Sequence, residues 1–148
     1  MGITRQDIIH GAVLTPLVEH PSFKALNKPD GAPYGVYLLN DDRPFMVKYG
    51  RSQNDKWHFT FHPWHISTAS TLAQRYPGRL LIILVCYPTE VCAVTWSEFQ
   101  QCLDVGAADP QGIRCEIPKG GGIRVYGPRR RRLTRVVPRS AFPSCLFA

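Results

Sequence analysis

The sharpest pattern along the chain is a strict alternation of aromatic and polar residues just before its middle. Trp57, Phe59 and Phe61 would lie on one side of an extended strand, while His58 and Thr60 would lie on the other. A period of two is typical of a strand with one buried face, because successive side chains point to opposite sides of a sheet. The pattern therefore predicts a half-buried strand with an aromatic inner face.

Two further strand-sized runs precede this aromatic strand. Tyr34–Leu39 and Pro44–Tyr49 flank a short polar turn at Asn40–Arg43, which predicts a hairpin. A second polar turn, Ser52–Lys56, connects the hairpin to the aromatic strand at Trp57–Phe61. We therefore expect three consecutive antiparallel strands in this part of the chain.

The second half of the chain is also dominated by strand-sized runs. Leu80–Cys86 contains only apolar residues, which predicts a central strand buried on both faces. The turn at Tyr87–Glu90 then leads back into a strand at Val91–Val94. Further short strands are predicted at Ile113–Ile117, Ile123–Tyr126 and Leu133–Val137.

Three helical segments are predicted between these strands. The first begins at a capping box formed by Thr4 and Asp7. We expect it to restart at Pro16, which suits the first turn of a helix, and to kink or restart at Pro21. The other two helices are expected at Ser67–Tyr76 and from Thr95 or Ser97 to Gly106.

The order of these elements predicts an α+β protein. The chain has 148 residues, of which 44% are hydrophobic and 20% are charged, and this is a globular composition. We expect a single domain over residues 1–148, in which an antiparallel sheet of about six to eight short strands packs against about three short helices. No apolar run approaches the roughly 18 residues that a membrane-spanning helix needs, so no membrane partner is expected.

The five cysteines are irregularly spaced, which favours a reduced, cytoplasmic protein over a disulfide framework. Cys86 and Cys92 are equidistant from Thr89, so a hairpin centred there would set them opposite each other. Such a pair can be a disulfide, half of a metal site or two small core residues. The apolar neighbours favour the core interpretation.

Positive charge is concentrated at one end of the chain. The net charge is +7, yet residues 113–148 carry nine cations and one anion, whereas residues 1–112 are close to neutral. A localised excess of arginine suggests an acidic partner, such as nucleic acid or an acidic protein surface. We call residues 113–148 the basic C-terminal β region.

Alternation within this region predicts a basic surface. Arg114, Arg124 and Tyr126 would share one solvent-exposed side of two strands, with Arg129–Arg132 at one end. An arginine-rich β ribbon can enter a groove or follow a phosphate backbone, because the guanidinium group forms two parallel hydrogen bonds with phosphate. The sequence therefore predicts a nucleic-acid-binding protein without catalytic activity of its own, and the alternative is a subunit that docks a larger protein through the same face. The predicted contact residues are Arg114, Lys119, Arg124, Tyr126, Arg129, Arg130, Arg131, Arg132, Arg135 and Arg139.

A metal-dependent nuclease is the enzymatic alternative. The order α-β-β-β-α-β over about 60 residues resembles the restriction-endonuclease-like core, a resemblance of element order alone. It implies a Mg²⁺ site built from clustered carboxylates with a lysine beside them. The residues that correspond by position are Glu19, Asp41, Asp42 and Lys48. The family's Glu/Asp-x-Lys triplet is absent, so no cofactor is predicted.

Two smaller groups of polar residues lie near the aromatic strand. His58 and His62 would be about 13 Å apart on an extended strand, too far for one metal ion, and His65 has no obvious further ligand nearby. No metal site is therefore predicted. Lys48, Arg51 and Lys56 would extend the basic surface if their strand edge lies beside the C-terminal strands.

Overall fold

The computed structural model describes residues 2–148, and within them the chain forms nine strands and three α helices. The predicted α+β class is therefore confirmed, with a strand count slightly above the expected range. The strands are β1 (Leu26–Asn27), β2 (Val36–Leu39), β3 (Arg43–Tyr49), β4 (Arg51–Gln53), β5 (Lys56–Phe61), β6 (Leu81–Cys86), β7 (Glu90–Thr95), β8 (Gln111–Glu116) and β9 (Arg124–Tyr126). The helices are α1 (Arg5–Val18), α2 (Pro63–Arg75) and α3 (Trp96–Phe99), with a 3₁₀ turn at Ser144–Phe147.

The strands form two sheets rather than one. Sheet 1 has the order β1-β2-β3-β6-β7, and sheet 2 has the order β4-β5-β8-β9. All neighbours are antiparallel except β3 and β6, which run parallel with Phe45 opposite Leu81. The prediction of three consecutive antiparallel strands is wrong, because the aromatic strand β5 pairs with β8 in sheet 2 and β6 takes the place beside β3.

The chain passes from sheet 1 to sheet 2 at Gly50. A Cβ atom at this position would lie 2.2 Å from the carbonyl oxygen of His58, so only glycine permits the observed approach of the two backbones. The β4–β5 hairpin that follows turns at Asn54 and Asp55, both with positive φ (53° and 60°). Two such residues form the tight turn whose twist suits a two-residue hairpin.

The two sheets share a hydrophobic core. The inner face of sheet 2, including Trp57, Phe59 and Phe61, packs with α2 against one side of sheet 1. The other side of sheet 1 is covered by α1, whose Ile9 and Val13 are buried. The outer face of sheet 2 is left in contact with solvent, which an antiparallel sheet tolerates when its outward side chains are polar.

Local signals explain where the first helix begins but not where it ends. The Thr4 N–H donates to Asp7 Oδ2 (2.8 Å) and the Asp7 N–H donates to Thr4 Oγ1 (3.1 Å), so the predicted capping box is confirmed. The predicted break at Pro16 is wrong, because α1 continues to Val18. Pro16 removes only one hydrogen bond near the end of the helix, and burial of Leu17 holds the last turn in place.

Other boundaries also differ from the predictions. Helix α2 starts four residues earlier than expected, with Pro63 in the first helical position, where its missing N–H costs no hydrogen bond. Thr95 caps α3 as predicted, but the helix ends at Phe99 and turns follow it. The predicted strand at Leu133–Val137 is not formed; within it a single isolated bridge joins Val137 to Ile123.

The cysteines are all free, and the expectation that Cys86 and Cys92 lie opposite each other is wrong. In the β6–β7 register Cys86 lies opposite Glu90, while Cys92 lies opposite Leu84. Both side chains are fully buried, which confirms the core interpretation. No helix within residues 2–148 is long and apolar enough to cross a lipid bilayer.

Candidate functional site

The outer side of sheet 2 carries two rows of side chains that cross all four strands. Residues directly opposite each other in a sheet point to the same side, so the pairing register defines each row. At about 4.8 Å between strands, a row of four spans roughly 14 Å. We call these two rows the basic face. The first row is Arg51, His58, Arg114 and Tyr126, and the second is Gln53, Lys56, Glu116 and Arg124.

Positive charge dominates the basic face. Its one carboxylate, Glu116, accepts a hydrogen bond from Arg114 Nε at 2.7 Å. The guanidinium carbon of Arg114 also lies 4.7 Å from the centre of the Tyr126 ring, so two contacts hold this arginine against the sheet. Arg51, Lys56 and Arg124 are exposed and form no ion pair within the described residues. They are therefore available to an external anion.

The predicted arginine cluster lies beside the basic face. We call Arg129–Arg132 the arginine turn, and all four of its residues are exposed. Its backbone is closed by hydrogen bonds from the Gly127 N–H to the Arg131 carbonyl (2.7 Å) and from the Arg131 N–H to the Pro128 carbonyl (3.0 Å). A bridge between Tyr126 and Arg132 attaches the turn to β9. The basic C-terminal β region thus contributes both part of the basic face and an exposed cationic turn next to it.

Three other predicted contact residues lie outside these two features. Lys119 occupies the exposed turn between β8 and β9. Arg135 forms a two-pronged ion pair with Glu98, at 2.7 and 3.2 Å, and this hydrogen bonding raises its pKa. Arg139 pairs with Glu90 at 3.2 Å. Arg135 and Arg139 are therefore partly neutralised within the chain, which sequence inspection did not anticipate.

The residues of the nuclease alternative are not brought together. Glu19 is the C-terminal cap of α1. Asp41 and Asp42 lie in the β2–β3 turn, where Asp42 pairs with Arg79 at 3.3 Å. Lys48 lies near the opposite end of β3, about 20 Å along the strand from Asp42. Residues 2–148 also contain no group of three His, Cys, Asp or Glu side chains arranged to hold a metal ion.

A cleft of about 950 Å³ adjoins the basic face where the chain passes between the sheets. It is lined by the start of α1, the segment before β2, the end of β3, strand β5 and the start of α2. Among the described residues, no aspartate or glutamate lines it. Its cationic and imidazole side chains are Arg5, His10, Lys48, Arg51, His58, His62 and His65.

Lys48 and His65 meet inside this cleft, with Lys48 Nζ 3.3 Å from His65 Nε2. The His62 backbone N–H donates to His65 Nδ1 at 2.9 Å, so a neutral His65 must carry its proton on Nε2. The protonated Nε2 of His65 can then only donate, and the ammonium group of Lys48 also has no acceptor atom. Two donors therefore face each other across this contact, and Lys48 has no carboxylate partner within residues 2–148.

Burial acts on the protonation of these groups. Burial lowers the pKa of Lys48. Burial, together with the nearby charges of Lys48 and His62, lowers the pKa of His65 to about 4. Burial also lowers the pKa of His10, whose Nδ1 lies 2.9 Å from the Tyr37 hydroxyl. The site is therefore rich in hydrogen-bond donors, while the lowered pKa values of His10 and His65 favour the neutral form of these two side chains.

Two exposed aromatic rings stand beside these polar groups. Tyr34 stacks on His10 with ring centres 4.9 Å apart, and Trp64 lies over His65 at 3.7 Å. The two rings are 60% and 55% exposed. Each presents apolar surface to a ligand in the cleft, next to groups that can hold an anion.

The cleft was not predicted as a unit, because five separate segments form it. Sequence inspection noted Lys48, His58, His62 and His65 but assigned them no common role. One further signal was available, since residues 43–89 contain Asp55 as their single acidic residue. Such a long stretch without acidic side chains indicates a surface that accepts negative charge.

Comparison of the chain with known proteins finds no matching family model, no similar curated protein and no similar solved structure. The function is therefore inferred from the geometry of the basic face and the cleft. These two features are continuous, because Arg51, His58 and Thr60 line the cleft and also lie on the outer side of sheet 2.

The low pKa of His65 predicts a pH-dependent stability. Between pH 6.5 and about 4 the unfolded chain binds a proton at this residue and the folded chain does not. The free energy of unfolding should therefore fall as the pH drops through this window. His65→Gln should make the slope of this fall shallower, by less than the slope that one bound proton contributes, because the ring is partly exposed. Urea denaturation between pH 4.5 and 7.5 measures this slope. His58→Gln, which removes an exposed imidazole, is the control, and an unchanged slope in His65→Gln would contradict the assignment.

Proposed function

We propose that this protein binds nucleic acid through the basic face and the arginine turn, without catalysing a reaction there. The observation that carries the proposal is the register of sheet 2. It places Arg51, Lys56, Arg114 and Arg124 on one side of four adjacent strands, against the single carboxylate of Glu116. Cations contributed by two distant parts of the chain thus form one surface.

Phosphate is the anion that this surface suits. Three of its four cations are arginines, whose planar guanidinium groups bind phosphate oxygens through paired hydrogen bonds. Arg114 is already held in place by Glu116 and the Tyr126 ring, so less side-chain entropy is lost when it binds. The tyrosine also offers an aromatic surface beside the phosphates, as proteins that bind single strands commonly do.

The width of the sheet favours contact with the backbone over insertion into a groove. The major groove of DNA is about 12 Å wide and admits a two-stranded ribbon. Strands β8 and β9 are instead part of a four-stranded sheet whose rows span roughly 14 Å before side chains are counted. A nucleic-acid strand that lies across the basic face would meet the arginine turn at the edge of the sheet formed by β9.

The test is fluorescence anisotropy of labelled single-stranded and double-stranded DNA and RNA over a range of salt concentrations, with and without Mg²⁺. We expect the logarithm of the affinity to fall linearly with the logarithm of salt concentration. Lys56→Ala/Arg124→Ala should reduce that slope by about two, because both cations are exposed without an ion pair in the described residues and two phosphate contacts are lost. It should weaken all sequences similarly.

Lys24→Ala/Arg75→Ala is the matched control, because it removes two exposed cations that lie outside the basic face. It should leave the slope at the wild-type value. Absence of binding at low salt would reject the proposal and favour docking of an acidic protein on the same surface. Mg²⁺-dependent loss of the labelled strand would reject the non-catalytic part of the proposal.

A further inference from the structure

Two hydrogen-bond donors that line the cleft are placed where they can hold an anion together. Lys48 and His65 direct two donors at the same small space, and within the described residues neither meets a carboxylate there. An oxygen of a bound anion would accept from both groups at once. The contact of Lys48 with the Phe61 ring, at 5.2 Å, holds the ammonium group beside His65.

The shape and charge of the cleft select among anions. Its volume is that of a site for a nucleotide-sized ligand. Trp64 provides stacking surface next to the anion position, because its ring lies over His65, and Tyr34 offers a second ring in the same cleft; such surfaces suit a nucleobase. A phosphate monoester carries a charge of about −1.5 to −2 at neutral pH, more than the single charge of a phosphodiester. A cleft without carboxylates therefore favours the monoester.

The position of the cleft indicates how such a ligand arrives. Arg51, His58 and Thr60 belong both to the cleft wall and to the outer side of sheet 2. A strand lying on the basic face can thus continue into the cleft. Lys48 and His65 are both partly buried in the cleft, and one end of a nucleic-acid strand reaches such groups more easily than a segment that must enter and leave again.

We propose that the cleft binds the phosphorylated end of a nucleic-acid strand, with the terminal phosphate between Lys48 and His65 and a terminal base against Trp64 or Tyr34. The proposal rests on the proposed function, since the rest of the strand lies on the basic face. The terminal phosphate monoester, and no sequence of bases, is the recognised group.

The experiment compares single-stranded oligonucleotides of identical sequence that end in a 5′-phosphate, a 3′-phosphate or hydroxyl groups only. We expect at least one phosphorylated end to bind on the order of tenfold more tightly than the hydroxyl-ended strand, as for one additional charge-assisted contact pair. Lys48→Met should remove this preference, so that the three strands bind with similar affinity. Arg124→Ala, on the basic face, should weaken all three strands and preserve their ratio.

Equal affinity of the wild-type protein for all three strands would overturn the inference, and this arm needs no variant. If Lys48→Met does not fold, His65→Leu replaces it, because it removes the other donor of the pair. Failure of the proposed function has a different signature, since no oligonucleotide would then bind. In that case the wild type and Lys48→Met are tested with a nucleoside monophosphate. Binding to the wild type alone would show that the cleft binds a free phosphate monoester, and this result would overturn the assignment to strand ends.

Discussion

Gly127→Ala should destabilise the protein by about 3 kcal/mol or more, the largest effect expected of any glycine-to-alanine substitution in this chain. A Cβ at this position would lie 1.5 Å from the carbonyl oxygen of Cys102 and 2.5 Å from its carbonyl carbon. The atoms in conflict belong to the backbone, so no side-chain rotation relieves the clash. The segment between β9 and the arginine turn would have to move away from the chain that follows α3.

Chemical denaturation of the two proteins measures this effect, with Gly11→Ala as the control. Gly11 lies inside α1 and a Cβ there meets no atom within 4 Å. Alanine is also the better helix former, so the control should gain up to about 1 kcal/mol. A Gly127→Ala protein as stable as the wild type would show that the turn does not pack against Cys102 as described. Because Gly127 anchors the arginine turn, the same variant should also weaken nucleic-acid binding.

Local patterns in the sequence predicted the elements of the fold well. The Thr4–Asp7 capping box involves residues three apart, so its geometry depends on little beyond the helix itself. The alternation from Trp57 to Phe61 likewise required only that one face be buried, and the structure buries its three aromatic residues. Such short-range signals determine what an element is.

The pairing of the strands depended on contacts that no local pattern contains. Strand β5 does not join the β2–β3 hairpin but pairs with β8 in the other sheet, so that Lys56 lies opposite Glu116, sixty positions later. The close approach at Gly50 makes this crossing possible, but glycine also occurs in ordinary turns and its role is visible only once His58 is placed beside it. Nonlocal pairing therefore explains why one sheet was expected and two are found.

The basic face could be predicted from the sequence and the cleft could not, for the same reason. The outward direction of Arg114, Arg124 and Tyr126 followed from alternation within two short strands, and the β8–β9 register places them as expected. The cleft required Lys48 of β3 to meet His65 of α2, which depends on where α2 begins. Because α2 starts at Pro63 rather than Ser67, His65 becomes part of its first turn.

Lys56→Glu/Arg124→Glu should abolish most of the nucleic-acid binding while leaving the fold intact. The register places these residues on either side of Glu116 in one row of the basic face. Reversing the charge of both residues would leave three adjacent carboxylates, with Glu116 in the middle, where a phosphate backbone is proposed to lie. If each of the two phosphate contacts that is replaced by repulsion costs about 1.4 kcal/mol of binding free energy, the affinity should fall on the order of 100-fold.

The control for this variant is Lys24→Glu/Arg75→Glu, which changes the net charge by the same amount at two exposed positions outside the basic face. Long-range attraction depends on net charge and is weakened equally in both proteins, whereas direct phosphate contacts are lost only in the first. Anisotropy titrations at roughly 50 mM salt, where electrostatic binding is strong, separate the two effects. A similar loss in both variants would mean that net charge alone governs binding, and the basic face would then have no special role. A loss confined to Lys56→Glu/Arg124→Glu would locate the phosphate contacts on sheet 2.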